Sequence, residues 1–180
     1  MNIFKFIFLF FILTQVAVGN TIFKDNFENQ KKWQFISDQV MGGVSSGKVE
    51  FFSDNNNFYA RLTGNVSTEN KGGFIQIRRK LEKPSLKGAK FIEIIAKGNN
   101  QDYFVHLRTS GTLLPWQYYQ ISFKVDNDFK IFKLPINEFK RSSVFLSKQI
   151  NPENITSIGV VAFGRDHLAD IYIKEINFTD

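Results

Sequence analysis

Apolar and polar residues alternate along about ten short segments of this chain, and clusters of turn-forming residues separate the segments. In one of them, Tyr103, Val105 and Leu107 alternate with His106 and Arg108. A period of two residues indicates strands with one face in a core. The predicted strands are 32–37, 47–53, 57–65, 73–80, 90–97, 102–109, 117–126, 129–134, 155–163 and 169–178, with single helical turns near 135–139 and 151–154. No long helical period lies between them, so the pattern predicts an all-β sandwich or barrel.

A glycine-rich stretch, WQFISDQVMGGVSSG at 33–47, follows the first predicted strand, and a second Gly-Gly pair opens NKGGFIQIR at 70–78. Glycine admits positive φ angles and close backbone approach, and Asp and Ser hydrogen-bond to nearby backbone in turns. The simplest interpretation is a pair of tight strand entries. We therefore predict a structural motif formed by Trp33, Asp38, Met41, Gly42, Gly43, Ser45, Gly72 and Gly73.

These two stretches, with FYARLTGNVS between them, resemble the NADH:ubiquinone oxidoreductase complex I intermediate-associated protein 30 family. The resemblance extends from about residue 25 to residue 178. It implies a galactose-binding-like β-sandwich of the jelly-roll type, formed by a single domain over residues 20–180.

The resemblance also implies a function, because eukaryotic members of that family assist the assembly of respiratory complex I in mitochondria. It predicts a non-catalytic binding or assembly factor, not an enzyme, whose partners are proteins. The alternative is a carbohydrate- or glycan-binding module, which rests on analogy of fold.

Residues 1–19 differ in composition from the rest of the chain. A single positive charge at Lys5 precedes an unbroken apolar run at 6–13, and Ala17 and Gly19 place small residues before Asn20. This order of regions is typical of a secretory signal peptide, and the apolar run is short for a membrane span. We expect cleavage before Asn20 and a periplasmic or secreted protein, with membrane attachment only through an uncleaved leader.

The polar faces of several predicted strands also carry aromatic residues. If those strands are neighbours, their polar side chains could converge; the set comprises Gln76, Arg78, Glu93, His106, Arg108, Gln120 and Lys124. The alternative is an ordinary solvated sheet face. The predicted ligand- or partner-binding residues are Gln76, Arg78, His106, Arg108, Tyr118 and Gln120. A histidine there would add pH dependence near its ordinary pKa of about 6.5.

Other classes of site have little support in the sequence. The chain has no cysteine, and its two histidines, His106 and His167, lie far apart. We predict no catalytic residues and no required cofactor or metal, although Asp25 or Glu175 could hold a structural Ca²⁺. The net charge of +6 is spread along the chain, which does not resemble the dense basic stripe of a nucleic-acid site.

Overall fold

The computed structural model describes residues 19–55, 57–82 and 86–180; the predicted leader lies outside these ranges except for Gly19. These described ranges form twelve strands: β1 (Thr21–Asp25), β2 (Trp33–Ser37), β3 (Ser46–Asp54), β4 (Asn57–Val66), β5 (Phe74–Lys80), β6 (Phe91–Gly98), β7 (Asp102–Thr109), β8 (Tyr119–Lys124), β9 (Lys130–Pro135), β10 (Lys140–Arg141), β11 (Ile155–Phe163) and β12 (His167–Thr179). All observed pairings are antiparallel.

The strands form two six-stranded sheets. The front sheet has the order β10-β8-β7-β11-β5-β2, and the back sheet has the order β3-β4-β12-β6-β9. The first half of the long strand β12 pairs with β4, and its second half pairs with β1, which is the sixth strand of the back sheet. The prediction of an all-β sandwich is therefore confirmed, and the predicted strand bounds agree with the observed ones to within about two residues.

The core lies between the sheets and follows the alternation in the sequence. On β7, Tyr103, Val105 and Leu107 are fully buried, and Ile75 and Ile77 are fully buried on β5. Their neighbours in the chain therefore lie on the opposite, outer face of the front sheet. That outer face carries the candidate site.

Helical structure in the described ranges consists of 3-10 turns of three or four residues. Two of them, Ile136–Glu138 and Pro152–Asn154, lie where single turns were predicted. In the same ranges, no helix has the length and apolar character needed to cross a membrane.

A buried polar cluster fixes the start of the domain to the front sheet. The Asp25 carboxylate accepts hydrogen bonds from the Phe27 amide at 2.8 Å and from the Trp33 indole Nε1 at 3.1 Å, and it pairs with Arg79. Trp33 is itself buried and packs on Phe27, with ring centroids 4.7 Å apart. The buried Trp33 side chain therefore holds the start of β2 to the end of β1.

Candidate functional site

The register of the front sheet brings predicted site residues from different strands into one row. Gly159 of β11 lies opposite Arg78 of β5 on one side and opposite His106 of β7 on the other. His106 in turn lies opposite Gln120 of β8. A Cβ atom at Gly159 would lie 3.0 Å from Oε1 of Gln76. The absence of a side chain at Gly159 therefore makes room for the Gln76 amide beside Arg78.

A cavity of about 420 Å³ opens on this face. The predicted residues Gln76, Arg78, His106, Arg108 and Tyr118 all line it. The sixth, Gln120, lies beside His106 in the row but not in the lining. Five of the six predicted residues are thus brought together in one concave site.

Sequence reasoning missed several of the lining residues, namely Ile36, Val40, Lys71, Phe74, Pro115, Trp116, Ser142 and Phe163. The alternation in β11 contained a signal for Phe163, because Ile158, Val160 and Ala162 are in the core. Val40 and Trp116 lie in loops, where a two-residue period gives no information.

Aromatic rings form the wall of the cavity beside the row. The rings of His106 and Tyr118 stack, with centroids 4.1 Å apart and planes within 10° of each other. The Phe163 ring stands nearly perpendicular to both, at 5.4 Å from His106 and 6.2 Å from Tyr118. Such mutual packing holds the rings in fixed orientations.

His106 is neutral at neutral pH in this arrangement. Burial lowers the pKa of His106 to about 4, because desolvation disfavours the charged imidazolium. The expectation of a pH-dependent charge near pH 6.5 is therefore wrong for His106, and its ring acts as an uncharged aromatic surface.

Two arginines, Arg78 and Arg108, line the cavity. Arg108 donates from Nη2 to the carbonyl oxygens of Thr112 at 3.2 Å and Leu114 at 2.9 Å. Burial, and then the nearby charge of Arg108, lower the pKa of Arg78. The two guanidinium groups are thus close enough to repel each other.

Two residues of the predicted converging set lie elsewhere. Glu93 is in β6 of the back sheet, where Lys133 approaches it at 3.3 Å. Lys124 lies opposite Asp102 in the register of β7 and β8, at the end of that ladder away from His106. Alternation gives the face of a strand but not the sheet to which the strand belongs, so the predicted convergence was wrong for Glu93.

Asp38, the centre of the glycine-rich motif, positions one wall of the cavity. Its fully buried carboxylate accepts hydrogen bonds from Ser45 Oγ at 2.5 Å and from three backbone amides: Ser45 at 3.0 Å, Gly73 at 2.5 Å and Phe74 at 3.2 Å. The carboxylate thereby ties the loop after β2 to the start of β5, the strand that carries Arg78. We call this arrangement the Asp38 clamp.

The paired glycines make room for the Asp38 clamp. A Cβ atom at Gly43 or Gly72 would overlap the Asp38 carboxylate. Gly42 and Gly73 have φ angles of 88° and 120°, a region that side chains rarely adopt. The four glycines therefore have architectural positions around one buried carboxylate.

Met41 differs from the other residues of the predicted structural motif. Its side chain is 53% exposed and lines the cavity, next to Val40, which is 72% exposed. The clamp therefore presents these two apolar side chains at the mouth of the cavity.

The two carboxylates suggested as Ca²⁺ ligands are engaged in other contacts. Asp25 pairs with Arg79, and Glu175 pairs with Lys24 at 2.6 Å and accepts a hydrogen bond from the Asn177 amide at 2.6 Å. Within the described residues, no group of three or more His, Asp or Glu side chains is placed to hold a metal ion.

Solved structures with a similar fold include carbohydrate-binding modules. A family 11 module from Clostridium thermocellum, solved with a β-1,3-1,4-mixed-linked tetrasaccharide, is 16% identical, with a TM-score of 0.71 over 91% of this chain and 96% of that one. The family 11 module of cellulase Lic26A-Cel5E from the same organism is 14% identical, with a TM-score of 0.71 over 91% and 95%. A family 30 carbohydrate-binding module is 13% identical, with a TM-score of 0.56 over 92% and 90%. At these identities the likeness shows the fold.

The family is shown by the sequence. A comparison with curated proteins gives no match. The model of the family described as Complex I intermediate-associated protein 30 (CIA30) matches residues 22–170, which include the Asp38 clamp and the strands that carry Arg78, His106 and Arg108. This confirms the resemblance seen in the glycine-rich motif. The chain therefore belongs to the Complex I intermediate-associated protein 30 (CIA30) family.

Proposed function

We propose that this chain is a non-catalytic protein-binding domain, an assembly factor of the cell envelope, and that its partner contacts the front-sheet cavity and its rim. Membership of the CIA30 family supports an assembly-factor role. The proposal assigns no reaction to the site, since arginines and stacked rings are groups suited to binding.

The observation that carries this proposal is the apolar rim, which we define as Val40, Met41 and Trp116. These side chains are 72%, 53% and 59% exposed, and they line the same cavity from two different loops. Contiguous exposed apolar side chains around a polar floor are typical of a protein interaction site. Trp, Tyr, Met and Arg are also the residues enriched at such interfaces.

Carbohydrate binding is a second candidate function. It is favoured by the exposed indole of Trp116 beside the stacked Tyr118 ring, because an amphipathic ring can pack against a sugar and hydrogen-bond at its edge. The likeness of the fold to carbohydrate-binding modules agrees with this candidate.

Export of the domain is part of the proposal and rests on the signal-peptide pattern of residues 1–19. One contact is compatible with cleavage before Asn20. The Asn20 backbone nitrogen donates to Asp180 Oδ1 at 2.6 Å. Cleavage would make this nitrogen an ammonium group, and the hydrogen bond would gain the strength of a charge-assisted pair.

Affinity capture from membrane and envelope fractions tests the proposed function. The tagged full chain and its V40S/W116A variant are each crosslinked in cells and purified, and co-purifying proteins are quantified by mass spectrometry. We expect at least one protein to be recovered with the wild type and reduced about tenfold or more with the variant, because interface anchors dominate binding energy.

The matched control is I131S/L168S. Ile131 and Leu168 are 66% and 72% exposed and belong to strands of the back sheet, so this variant removes a similar exposed apolar area elsewhere. Equal recovery with wild type and V40S/W116A would contradict the proposal. Binding of the wild type, but not of V40S/W116A, to a glycan array would favour carbohydrate binding instead.

A further inference from the structure

We infer that the front-sheet cavity is a carboxylate receptor, into which an acidic segment of a partner protein inserts an Asp or Glu side chain between the guanidinium groups of Arg78 and Arg108. This inference rests on the proposed function and adds the chemistry of what the cavity binds. Apolar residues beside the acidic one would pack on the rim.

Arg108 is held in place by neutral groups. Besides its two carbonyl contacts, its Nε lies 3.4 Å from Thr112 Oγ1. These contacts fix the guanidinium against the loop between β7 and β8, but none of them neutralises its charge. A rigid and uncompensated cation in a concave site is suited to an anion.

The Arg78 guanidinium has no hydrogen bond or ion pair with any other described residue, although the side chain is half-buried. The other arginines of the described chain all have partners. Arg61 makes a bidentate pair with Asp170 at 2.9 Å, Arg79 pairs with Asp25, and Arg141 and Arg165 donate to carbonyl or amide oxygens. Desolvated charges in proteins are normally paired, so Arg78 is the group for which a ligand would supply the missing partner.

The charge around the two arginines has one sign. The described lining residues include Lys71 as a third cation and no Asp or Glu. The nearby Asp38 carboxylate is fully buried and surrounded by the donors of the clamp. Burial and the charge of Arg108 both lower the pKa of Arg78, and an anion between the two arginines would oppose both effects by favouring the charged guanidinium.

The apolar rim favours one source of the carboxylate over others. A free small anion or an acidic sugar would use the arginines but would leave Val40 and Met41 in water. A peptide segment with an acidic residue beside apolar ones would use both. The net positive charge, +6 for the whole chain and one less without Lys5 of the leader, would also favour encounter with an acidic partner.

A random twelve-residue peptide library displayed on phage is the probe for this inference. The library is selected on the immobilised full chain, and the strongest peptides are synthesised with each acidic residue also replaced by its amide. Fluorescence anisotropy then gives affinities for the wild type, for R78Q, R78K and V40S/W116A, and for the control K32Q. The control removes one exposed charge outside the cavity. Thermal melts confirm that each variant is folded.

We expect the selected peptides to combine Asp or Glu with apolar residues. Replacing that acidic residue by its amide, or Arg78 by Gln, should each weaken binding by about tenfold or more, whereas K32Q should not. The two changes together should cost little more than either alone, because they remove the same interaction. R78K should recover only part of the affinity, since lysine lacks the planar fork.

One outcome is that binding is unchanged by the amide in the peptide and by R78Q in the protein, but is lost in V40S/W116A. That outcome would overturn the carboxylate receptor and leave the proposed function intact. Peptides insensitive to all three changes, or no selection of peptides at all, would overturn both. An oligogalacturonate, an acidic sugar chain, is added as a competitor of the bound peptide. If it competed more strongly than any acidic peptide, the choice of a protein segment would be overturned.

Discussion

Replacing Asp38 by Ala should lower the free energy of unfolding by about 3–5 kcal/mol. The Asp38 carboxylate accepts one hydroxyl and three backbone hydrogen bonds in a fully buried position. The substitution leaves those donors without an acceptor, and each unsatisfied buried group costs about 1–3 kcal/mol. Since a typical domain is stable by only about 5–15 kcal/mol, the loss is a large share of the total. Urea denaturation of the wild type and the variant measures it.

Two further variants separate the clamp from a general effect of charge removal. G43A keeps Asp38 but places a Cβ atom against its carboxylate, so we expect a loss of about 1–3 kcal/mol. D128A removes an exposed loop carboxylate and should change stability by less than about 0.5 kcal/mol. If D38A unfolded at the same urea concentration as D128A, the clamp would not hold the two loops together.

The stability of the clamp should also depend on pH. Burial raises the pKa of Asp38, but the hydrogen bonds from Gly73, Ser45 and Phe74 outweigh it, so the pKa lies below its ordinary value. A depressed pKa means that the stabilisation is present above the unfolded-state pKa and is lost as the pH falls through the folded-state value.

Between pH 7 and pH 4, the wild type should lose about 3 kcal/mol more stability than an H106F variant. Burial lowers the pKa of His106 to about 4 in the folded state, against about 6.5 when unfolded. Between these values the unfolded chain binds the proton and the folded chain does not, so stability falls as the pH falls. Phe keeps an aromatic ring against Tyr118 and removes the titration. Urea denaturation at a series of pH values measures the difference.

The variant comparison isolates His106, because the pKa of His167 is also lowered by burial and contributes equally to both proteins. Parallel pH profiles for the wild type and H106F would show that His106 titrates normally and is not enclosed by the cavity. A profile in which the wild type loses more stability than H106F below pH 6.5 would agree with a neutral ring in the site.

Local pattern predicted the strands well because each strand has one face in the core. It did not identify β1, which follows the leader directly, or β10, which has only two residues. The position of β10 depends on pairing with β8 and on Arg141, which donates to the carbonyls of Val144 and Leu146. The pairing joins separate parts of the chain, and a strand of two residues leaves no period in the sequence.

The candidate site was predictable only where it lies on strands. Alternation placed Arg78, His106 and Arg108 opposite the core, and the observed register brings them together. Trp116 and Val40 depend on the conformations of two loops. The lowered pKa of His106 depends on burial by Tyr118 and Phe163, which come from other elements, so its charge could not be inferred from its own strand.

Site-specific photocrosslinking tests the central claim, that the partner contacts the front-sheet cavity. The photoreactive residue benzoylphenylalanine replaces Met41, which is 53% exposed at the mouth, or Ile131, which is 66% exposed on the back sheet. After irradiation in cells, we predict a crosslinked product with one partner from position 41, absent from position 131 and lost when R78Q is added. Products of the same mass from both positions, or a product from position 131 alone, would contradict the account.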